Sequence, residues 1–141
     1  MADMNIELLG HTPCAPAYAH PGDAGLDLYA TEPAEVTRET VLIPTGVAVA
    51  VPDGHVGLVC PRSGISRYGV TVANSPGVVD SGYRGEVMVR LTTTSATPYR
   101  VYRGDRIAQL LIVPVARPEV TVVDRLDNTE RGTDGFGSTG R

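Results

Sequence analysis

Glycine and proline recur at short intervals along this 141-residue chain, which contains 16 glycines and 11 prolines. Both residues are unfavourable inside helices, so the runs between them leave little room for long helices. The runs themselves are rich in valine and isoleucine, which favour strands. The pattern predicts an all-β chain of many short strands, in a sandwich, barrel or jelly roll.

The valine-rich runs define the predicted elements. The predicted strands are Asn5–Leu9, Leu26–Ala30, Thr40–Ile43, Gly46–Val51, Val56–Cys60, Val70–Ala73, Glu86–Leu91, Arg100–Tyr102, Ile107–Val113 and Val120–Val123. One short helix is predicted at Ser63–Tyr68. Because aromatic residues make up only 5% of the chain, we expect a core of valine, leucine and isoleucine.

Composition limits the classes of function. The formal charge of −4 provides no basic surface for nucleic acid, whose binding depends on neutralising phosphates. No run approaches the roughly 18 apolar residues of a membrane span, and Met1–Asn5 lacks the basic and then apolar pattern of a signal peptide. We therefore expect one cytoplasmic domain with neither a nucleic-acid nor a membrane partner.

All 12 basic residues of the chain are arginines. The absence of lysine excludes both a P-loop lysine and a Schiff-base lysine. Arginine suits bidentate contacts with phosphate, although a uniform arginine bias also follows from genome composition. A small anionic ligand bound by local arginines is compatible with this composition.

Asp80 follows the run Gly77–Val79, in a segment that is predicted to form a long hairpin with Tyr83 near its tip. A carboxylate within hydrogen-bonding reach of a water molecule acts as a general base. Within this segment alone, a cap that stabilises the turn is the simpler role for Asp80. The segment leaves both interpretations open.

Three further positions combine polar chemistry with a strand pattern. Asp27 alternates with leucines, so it is either a solvent-facing acid or a carboxylate directed at magnesium through water. The segment Pro61–Ser66 follows an apolar strand and forms either an ordinary turn or a nest of N–H groups for phosphate. Gln109 interrupts an apolar run, where its amide needs partners from the protein or from a ligand.

From Asp124 onward the sequence is polar and glycine-rich, so residues 124–141 are predicted to form a mobile C-terminal arm beyond a domain of residues 1–123. Phe136, the only phenylalanine of the chain, lies in this arm. Flanking glycines would let the backbone close over a ligand while the ring stacks on a flat partner. A frayed terminus and a functional arm both fit this composition.

Taken in order, five segments resemble the five motifs of the homotrimeric deoxyuridine triphosphatases, the dUTPases. The segments are Ala24–Ala30, Pro61–Ser66, Asn74–Glu86, Arg103–Ile112 and Arg131–Gly140. Each is a weak signal alone, but five in register across nearly the whole chain are specific. The resemblance implies a jelly-roll-like (β-clip) subunit in a homotrimer, with active sites at subunit interfaces and the arm closing one of them.

The resemblance also implies an activity, the Mg²⁺-dependent hydrolysis of dUTP to dUMP and pyrophosphate. Asp80 would hold the water that attacks the α-phosphorus in line, in chemistry that depends mostly on positioning and charge stabilisation. Such an enzyme limits uracil incorporation into DNA and supplies dUMP for thymidylate synthesis.

By position in the motifs, Arg62, Ser63, Gly64 and Gln109 would bind the phosphates. Asp27 would meet Mg²⁺ through water, while the triphosphate supplies the inner ligands of the metal. The role of the ion would be to neutralise charge.

The third motif would bind the base and the sugar. Asn74 and the backbone around Val78, Val79 and Met88 would hydrogen-bond to the edge of uracil. Tyr83 would pack under the deoxyribose, where a 2′-hydroxyl would collide, and a tight hairpin would exclude the methyl group of thymine.

The arm would supply the remaining contacts. Arg131 and the backbone of Gly137, Ser138 and Thr139 would bind the phosphates, and Phe136 would stack on uracil. Closure of the arm would exclude competing water.

The motifs depart from the family pattern in a few places. The second motif ends in Ile65-Ser66 where Leu-Ala is commoner, and the third has Val79 and Gly82 where Ile and Asp are often found. None of these departures removes a functional side chain.

Two other hypotheses remain. The dCTP deaminases share the architecture, but their glutamate-bearing segment is not apparent in this sequence. A non-catalytic trimeric module that binds nucleotide to regulate a partner is the third hypothesis, against which the complete set of motifs argues.

Overall fold

The computed structural model describes residues 7–10 and 15–140 of the chain. The segment Met1–Asn5 and the first residues of the strand predicted at Asn5–Leu9 lie outside the described residues. Within the described ranges the backbone is almost entirely strand and loop, as the glycine and proline spacing predicts. The fold is all-β, with a jelly-roll-like arrangement of its sheets.

The described elements are ten strands and one helix of four residues. The strands are β1 (Glu7–Gly10), β2 (Leu26–Tyr29), β3 (Ala34–Val36), β4 (Val41–Ala50), β5 (His55–Cys60), β6 (Val70–Val72), β7 (Gly77–Val79), β8 (Glu86–Thr93), β9 (Tyr99–Val101) and β10 (Arg106–Pro114). The helix, α1, is Ser63–Ser66. No helix in the described ranges has the length and apolar character needed to cross a membrane.

Two four-stranded antiparallel sheets form the body of the fold, and β3 pairs with β9 in a small third sheet. The strand order is β1-β4-β8-β6 in the first sheet and β2-β10-β5-β7 in the second. Because β10 lies between β2 and β5, Gln109 is paired with Asp27 on one side and with Cys60 on the other. Segments that are far apart in sequence therefore meet at this point of the second sheet.

Alternation along the strands separates a buried face from an exposed one. In β8, Val87 and Val89 are buried whereas Met88 and Arg90 are exposed. The buried faces of both sheets contribute to a single cluster of valine, leucine, isoleucine and alanine side chains, and its fully buried members include no aromatic residue in the described ranges. This confirms the predicted core composition.

Two predicted strands, Thr40–Ile43 and Gly46–Val51, are parts of one strand, β4. The pairing of β4 with β8 shifts register between Pro44 and Ala48, so the interruption is a bulge rather than a turn. Gly46 has a φ of 69°, in the left-handed region that glycine adopts without strain. Proline and glycine thus bend the strand without ending it.

Other element predictions differ from the structure at the ends of the chain and in short strands. The strands β3 and β7, of three residues each, were not among the predicted strands, whereas the equally short β6 and β9 were. The strand predicted at Val120–Val123 is wrong: residues 115–140 contain no strand, and Val120 and Val122 are almost fully exposed. Strand propensity does not form a strand where no neighbouring edge pairs with it.

Substitution of Leu110 tests the position of the core. It is 0% exposed in a strand that pairs on both sides, so Leu110→Ala should lower the free energy of unfolding by about 2–5 kcal/mol. Leu42→Ala is the matched control, because Leu42 is 45% exposed and should cost less than about 1 kcal/mol. Urea unfolding at one fixed protein concentration measures both. Equal losses in the two variants would contradict this description of the core.

Candidate active site

A buried carboxylate organises the first group of candidate residues. Asp27 is only 6% exposed, and its Oδ1 accepts a hydrogen bond of 3.0 Å from Nε of Arg62. Its other oxygen, Oδ2, lies 3.5 Å from Nη1 of Arg106. Arg62 also donates from Nη1 to the backbone carbonyl of Arg106, at 3.4 Å. Asp27 is therefore not a solvent-facing acid, because it holds two guanidinium groups side by side.

The sheet register explains why these side chains meet. Asp27 and Gln109 are directly paired, so both project from the same face of the second sheet, opposite to the face that carries Leu26 and Leu110. The backbone N–H of Asp27 donates to the backbone carbonyl of Ala17 at 2.9 Å, and this isolated bridge pairs the two residues at the edge of the sheet formed by β2. Asp27 is buried although it lies on the face opposite to the one that carries Leu26 and Leu110.

Gln109 is fixed by the segment that carries the arginine. Its Nε2 donates to the backbone carbonyl of Pro61 at 2.9 Å, which accounts for one of the two N–H groups of the amide. Its Oε1 lies so close to Gly25 that a Cβ at this glycine would collide with it. Both hypotheses for Gln109 thus have support: one N–H serves the structure, and the other remains available to a ligand.

These residues line a cavity of about 330 Å³, which we call the arginine cavity. Its lining residues are Ala19, His20, Asp23, Ala24, Gly25, Asp27, Arg62, Ser63, Arg106 and Gln109. Ser63 begins α1 and Gly64 follows it, both exposed beside Arg62. Guanidinium, hydroxyl and amide donors around one opening suit an anion that carries several oxygens.

The second group of candidate residues surrounds a cavity of about 280 Å³ between β7 and β8, the hairpin cavity. Its lining residues are Leu42, Val59, Asn74, Gly77, Val78, Val79, Tyr83, Glu86, Val87 and Met88. All five residues that the resemblance predicts for the base and the sugar, Asn74, Val78, Val79, Tyr83 and Met88, are among them. The structure therefore brings this whole group together.

Unpaired backbone faces the hairpin cavity on both sides. The strand β7 is an edge strand, paired only with β5 in the described part of the chain, so one row of its N–H and C=O groups has no strand partner. The pairing of β6 with β8 ends at Val72 and Leu91, and Met88 lies beyond this end. Backbone donors and acceptors are thus available to a planar ligand that has hydrogen-bonding edges.

Asp80 follows directly after β7 and is exposed. Its backbone carbonyl closes the turn by accepting from the N–H of Tyr83 at 3.0 Å. Its carboxylate makes no hydrogen bond or ion pair with any residue in the described ranges, so the side chain itself does not cap the turn. It lines an open cleft of about 620 Å³ together with His55, Val56 and Arg117.

The C-terminal arm lies apart from both cavities in this single chain. Arg131 donates from Nε to the backbone carbonyl of Asp134 at 2.7 Å, and within the described ranges residues 124–140 make hydrogen bonds only with one another. Phe136 is fully exposed and has a φ of 45°, which is unusual for a residue with a side chain. Gly137 and Ser138 follow it in tight turns, equally exposed.

The candidate residues of one chain line several openings rather than one, and Val78 lines both the hairpin cavity and the cleft that contains Asp80. The arginine cavity and the hairpin cavity share no lining residue, and Asp80 and the arm residues line neither. Arg106 and Glu86 were not among the site residues predicted from the sequence. Arg106 lies in the fourth motif three residues before Gln109, and Glu86 ends the third motif, so their place in the motifs was the available signal.

The donor set of the arginine cavity fits magnesium bound mainly by a substrate. Residues 7–10 and 15–140 contain no group of three histidine, cysteine or acidic side chains that could form a protein cage for a metal. Asp27 offers one carboxylate that is already hydrogen-bonded, and its remaining lone pairs can accept from metal-bound water. Magnesium keeps several waters and uses one or two carboxylates together with phosphate oxygens, which is the arrangement that these residues allow.

Comparison with known proteins gives one consistent result. A family model described as dUTPase matches residues 13–140. The deoxyuridine 5′-triphosphate nucleotidohydrolase of Leifsonia xyli is 50% identical over 128 residues, which cover 89% of this chain and 84% of that protein. The protein of the same name from Picosynechococcus is 48% identical over 141 residues, which cover 97% of this chain and 99% of that protein.

Comparison with solved structures gives the same family. The dUTPase of Staphylococcus bacteriophage 80alpha with dUPNHPP superimposes with a TM-score of 0.84 at 30% identity, covering 97% of this chain and 99% of that one. A mutant dUTPase from phage phi11 of S. aureus has a TM-score of 0.79 at 26% identity, and the match covers 89% of this chain and 100% of that one. Its structure is described as revealing the coordination of a structural Mg(II) ion.

The two arginines beside Asp27 should differ in their contribution to stability. Arg62→Met removes the closer partner of a buried carboxylate and should lower the free energy of unfolding by about 1–3 kcal/mol. Arg106 is half exposed and more distant, so Arg106→Met should cost less than about 1 kcal/mol. Urea unfolding distinguishes them, and Asp27→Asn added to Arg62→Met should recover part of the loss. Equal costs at the two arginines would contradict the geometry.

Proposed function

Because this chain belongs to the dUTPase family, we propose that it hydrolyses dUTP to dUMP and pyrophosphate, with the hairpin cavity binding the nucleoside and the arginine cavity binding the phosphates. The observation that supports this most is the set of five predicted nucleoside contacts around one cavity. Three of them precede Asp80 in the chain and two follow it, and the Asp80 carboxylate has no hydrogen-bond or ion-pair partner among residues 7–10 and 15–140. The family match over residues 13–140 identifies the substrate class.

Asp80 is the proposed general base. Its carboxylate takes a proton from a water molecule as the water oxygen bonds to the α-phosphorus. The bond between the α-phosphorus and the oxygen that bridges to the β-phosphorus breaks, and pyrophosphate leaves while dUMP remains. The Asp80 carboxylate is suited to this work, because within the described part of the chain no hydrogen bond or ion pair competes with the water for its oxygens.

Arg62, Ser63, Gly64 and Gln109 bind the triphosphate in this proposal. Arg62 is held in place by Asp27, so its guanidinium is positioned before the substrate arrives and loses little rotamer freedom on binding. Asp27 would hold magnesium through water while the phosphates supply its other ligands, and the ion would then provide neutralising charge. Arg106, on the other oxygen of Asp27, adds positive charge at the same opening.

Selection among nucleotides occurs in the hairpin cavity. Asn74 and the unpaired backbone of β7 and of Met88 present donors and acceptors to the edge of uracil. The tight hairpin is proposed to leave no room for the thymine methyl group. Tyr83 covers the sugar and leaves no room for a 2′-hydroxyl. Steric exclusion of this kind discriminates more strongly than the roughly 1–3 kcal/mol that a missing methylene provides.

A complete site requires more than one chain. Within a chain the nucleoside group, the phosphate group and the arm are separate, and cyclic symmetry would place each beside the complementary group of a neighbour. We therefore propose a homotrimer in which the arm of one subunit crosses to a site on another. Arg131, Gly137 and Ser138 then contact the phosphates, and Phe136 stacks on uracil.

The substrate range and the role of Asp80 are tested together. Purified protein with Mg²⁺ should release pyrophosphate from dUTP with a kcat/KM at least about 100-fold above that for dTTP, dCTP or UTP. Asp80→Asn should lower kcat by about 10²–10⁴-fold and leave the dissociation constant for dUTP nearly unchanged, because it removes the base without removing a binding contact. Pyrophosphate release and calorimetric binding measure the two quantities.

Each rival outcome has a distinct signature. An active Asp80→Asn enzyme would refute the proposed base. Formation of dUTP or dUMP from dCTP would identify a deaminase, and tight binding of dUTP with no turnover by the natural chain would identify a non-catalytic module. Asp53→Asn is the matched control, since Asp53 is an exposed acid outside both cavities and should behave like the natural chain.

Mixed oligomers test whether the arm acts between subunits. Deletion of residues 131–141 should leave a folded protein with severely reduced turnover, since closure of the arm excludes competing water. When equal amounts of this variant and inactive Asp80→Asn chains are refolded together, random assembly should restore about one quarter of the sites, because the arm and the base then come from different chains. No recovery would show that each site uses the arm of its own chain.

A further inference from the structure

The ring of Tyr83 is held by the residues that follow it. Its hydroxyl donates to the backbone carbonyl of Glu86 at 2.9 Å. The ring lies directly over Gly85, where an added Cβ would come within 2.5 Å of the hydroxyl oxygen and 2.7 Å of Cζ. Only a residue without a side chain lets the ring fold back across the hairpin in this way. The position of the ring is therefore determined by where the backbone of Glu86 lies.

The side chain of Glu86 fixes that backbone to a different strand. Its Oε1 accepts a hydrogen bond of 2.7 Å from the N–H of Gly46. Gly46 belongs to the bulge of β4, where the register with β8 shifts between Pro44 and Ala48. The bulged backbone would otherwise leave an N–H group without a ladder partner. Glu86 thus supplies the acceptor that the bulge lacks.

A second hydrogen bond joins the bulge of β4 to β8. Thr45, the residue before Gly46, is buried and donates from its hydroxyl to the backbone carbonyl of Val87 at 2.5 Å. The bulge therefore contacts two consecutive residues of β8, one through a side chain of β8 and one through a side chain of β4. Both Glu86 and Val87 line the hairpin cavity, so the bulge sets the shape of one of its walls.

We propose that Glu86 is a positioning residue for nucleotide selectivity: through its hydrogen bond to Gly46 it fixes the carbonyl that holds the Tyr83 ring, and the ring excludes ribonucleotides. The inference rests on the proposed function of the hairpin cavity and adds to it the element that sets the ring position. Glu86 itself acts through acceptor geometry rather than through its charge, since its partner is a neutral backbone N–H.

Two substitutions separate acceptor geometry from charge. Glu86→Gln keeps an oxygen at the same reach and removes the charge, so it should retain the natural ratio of kcat/KM for dUTP over UTP. Glu86→Asp keeps the charge but withdraws the oxygen by one methylene, and should lower this ratio by about three- to tenfold, the factor that corresponds to one ordinary hydrogen bond. Thermal unfolding of both variants checks that the fold is retained.

The Tyr83 hydroxyl provides the coupling test. Tyr83→Phe should lower the same ratio to a similar degree, and Glu86→Asp added to Tyr83→Phe should cause little further loss if both act on one ring position. This variant removes one exposed hydroxyl, so it keeps the proposal testable even if Glu86→Asp does not fold.

The outcomes are distinct. An unchanged dUTP to UTP ratio in Glu86→Asp, an equal loss in Glu86→Gln, or full additivity with Tyr83→Phe would each overturn the positioning role while leaving dUTP hydrolysis in place. Failure of the natural chain to release pyrophosphate from dUTP would contradict the proposed function itself, and the inference with it. A lowered melting temperature with an unchanged ratio would assign Glu86 to stability alone.

Discussion

The ion pair between Asp27 and Arg62 is the interaction on which the rest of the arginine cavity depends. A carboxylate that is 6% exposed is tolerated only when charged or polar partners replace the lost water, and two arginines provide that replacement. The same contact orients the guanidinium of Arg62 toward an opening that Ser63 and Gln109 share. One buried acid thereby satisfies its own desolvation and preorganises a site for anions.

The fold was predictable where the sequence pattern is local. Glycine and proline spacing, together with valine-rich runs, gave the all-β class, the aliphatic core and most strands. Pro44 and Gly46 were misinterpreted as a strand break because a bulge and a turn use the same residues, and only the pairing with β8 distinguishes them. Val120–Val123 has the composition of a strand but no partner edge in its own chain, a condition that local sequence does not encode.

The residues of the candidate site were predictable from the sequence, but the contacts between them were not. The five motifs contain four of the five lining residues that were expected in the hairpin cavity, all except Met88, which lies two residues beyond the third motif. They also contain Arg106 and Glu86, whose contacts are set by tertiary pairing. Asp80 illustrates the difference: its segment alone favoured a turn cap, whereas the structure gives that task to its backbone carbonyl and leaves the carboxylate without a partner in the described chain. Motif order identifies residues, and register determines which of them touch.

The bulge in β4 connects the fold to selectivity. A regular strand would pair continuously with β8, and neither Glu86 nor Thr45 would then have a bulge partner. The bulge lies in β4, next to the hairpin cavity, so a change in the first sheet reaches Tyr83 through two hydrogen bonds. The N–H of Gly46 donates to the Glu86 side chain, and the Tyr83 hydroxyl donates to the Glu86 backbone carbonyl. The irregular backbone around Gly46 therefore sets the position of the Tyr83 ring, the proposed contact of the sugar, as well as the packing of the sheet.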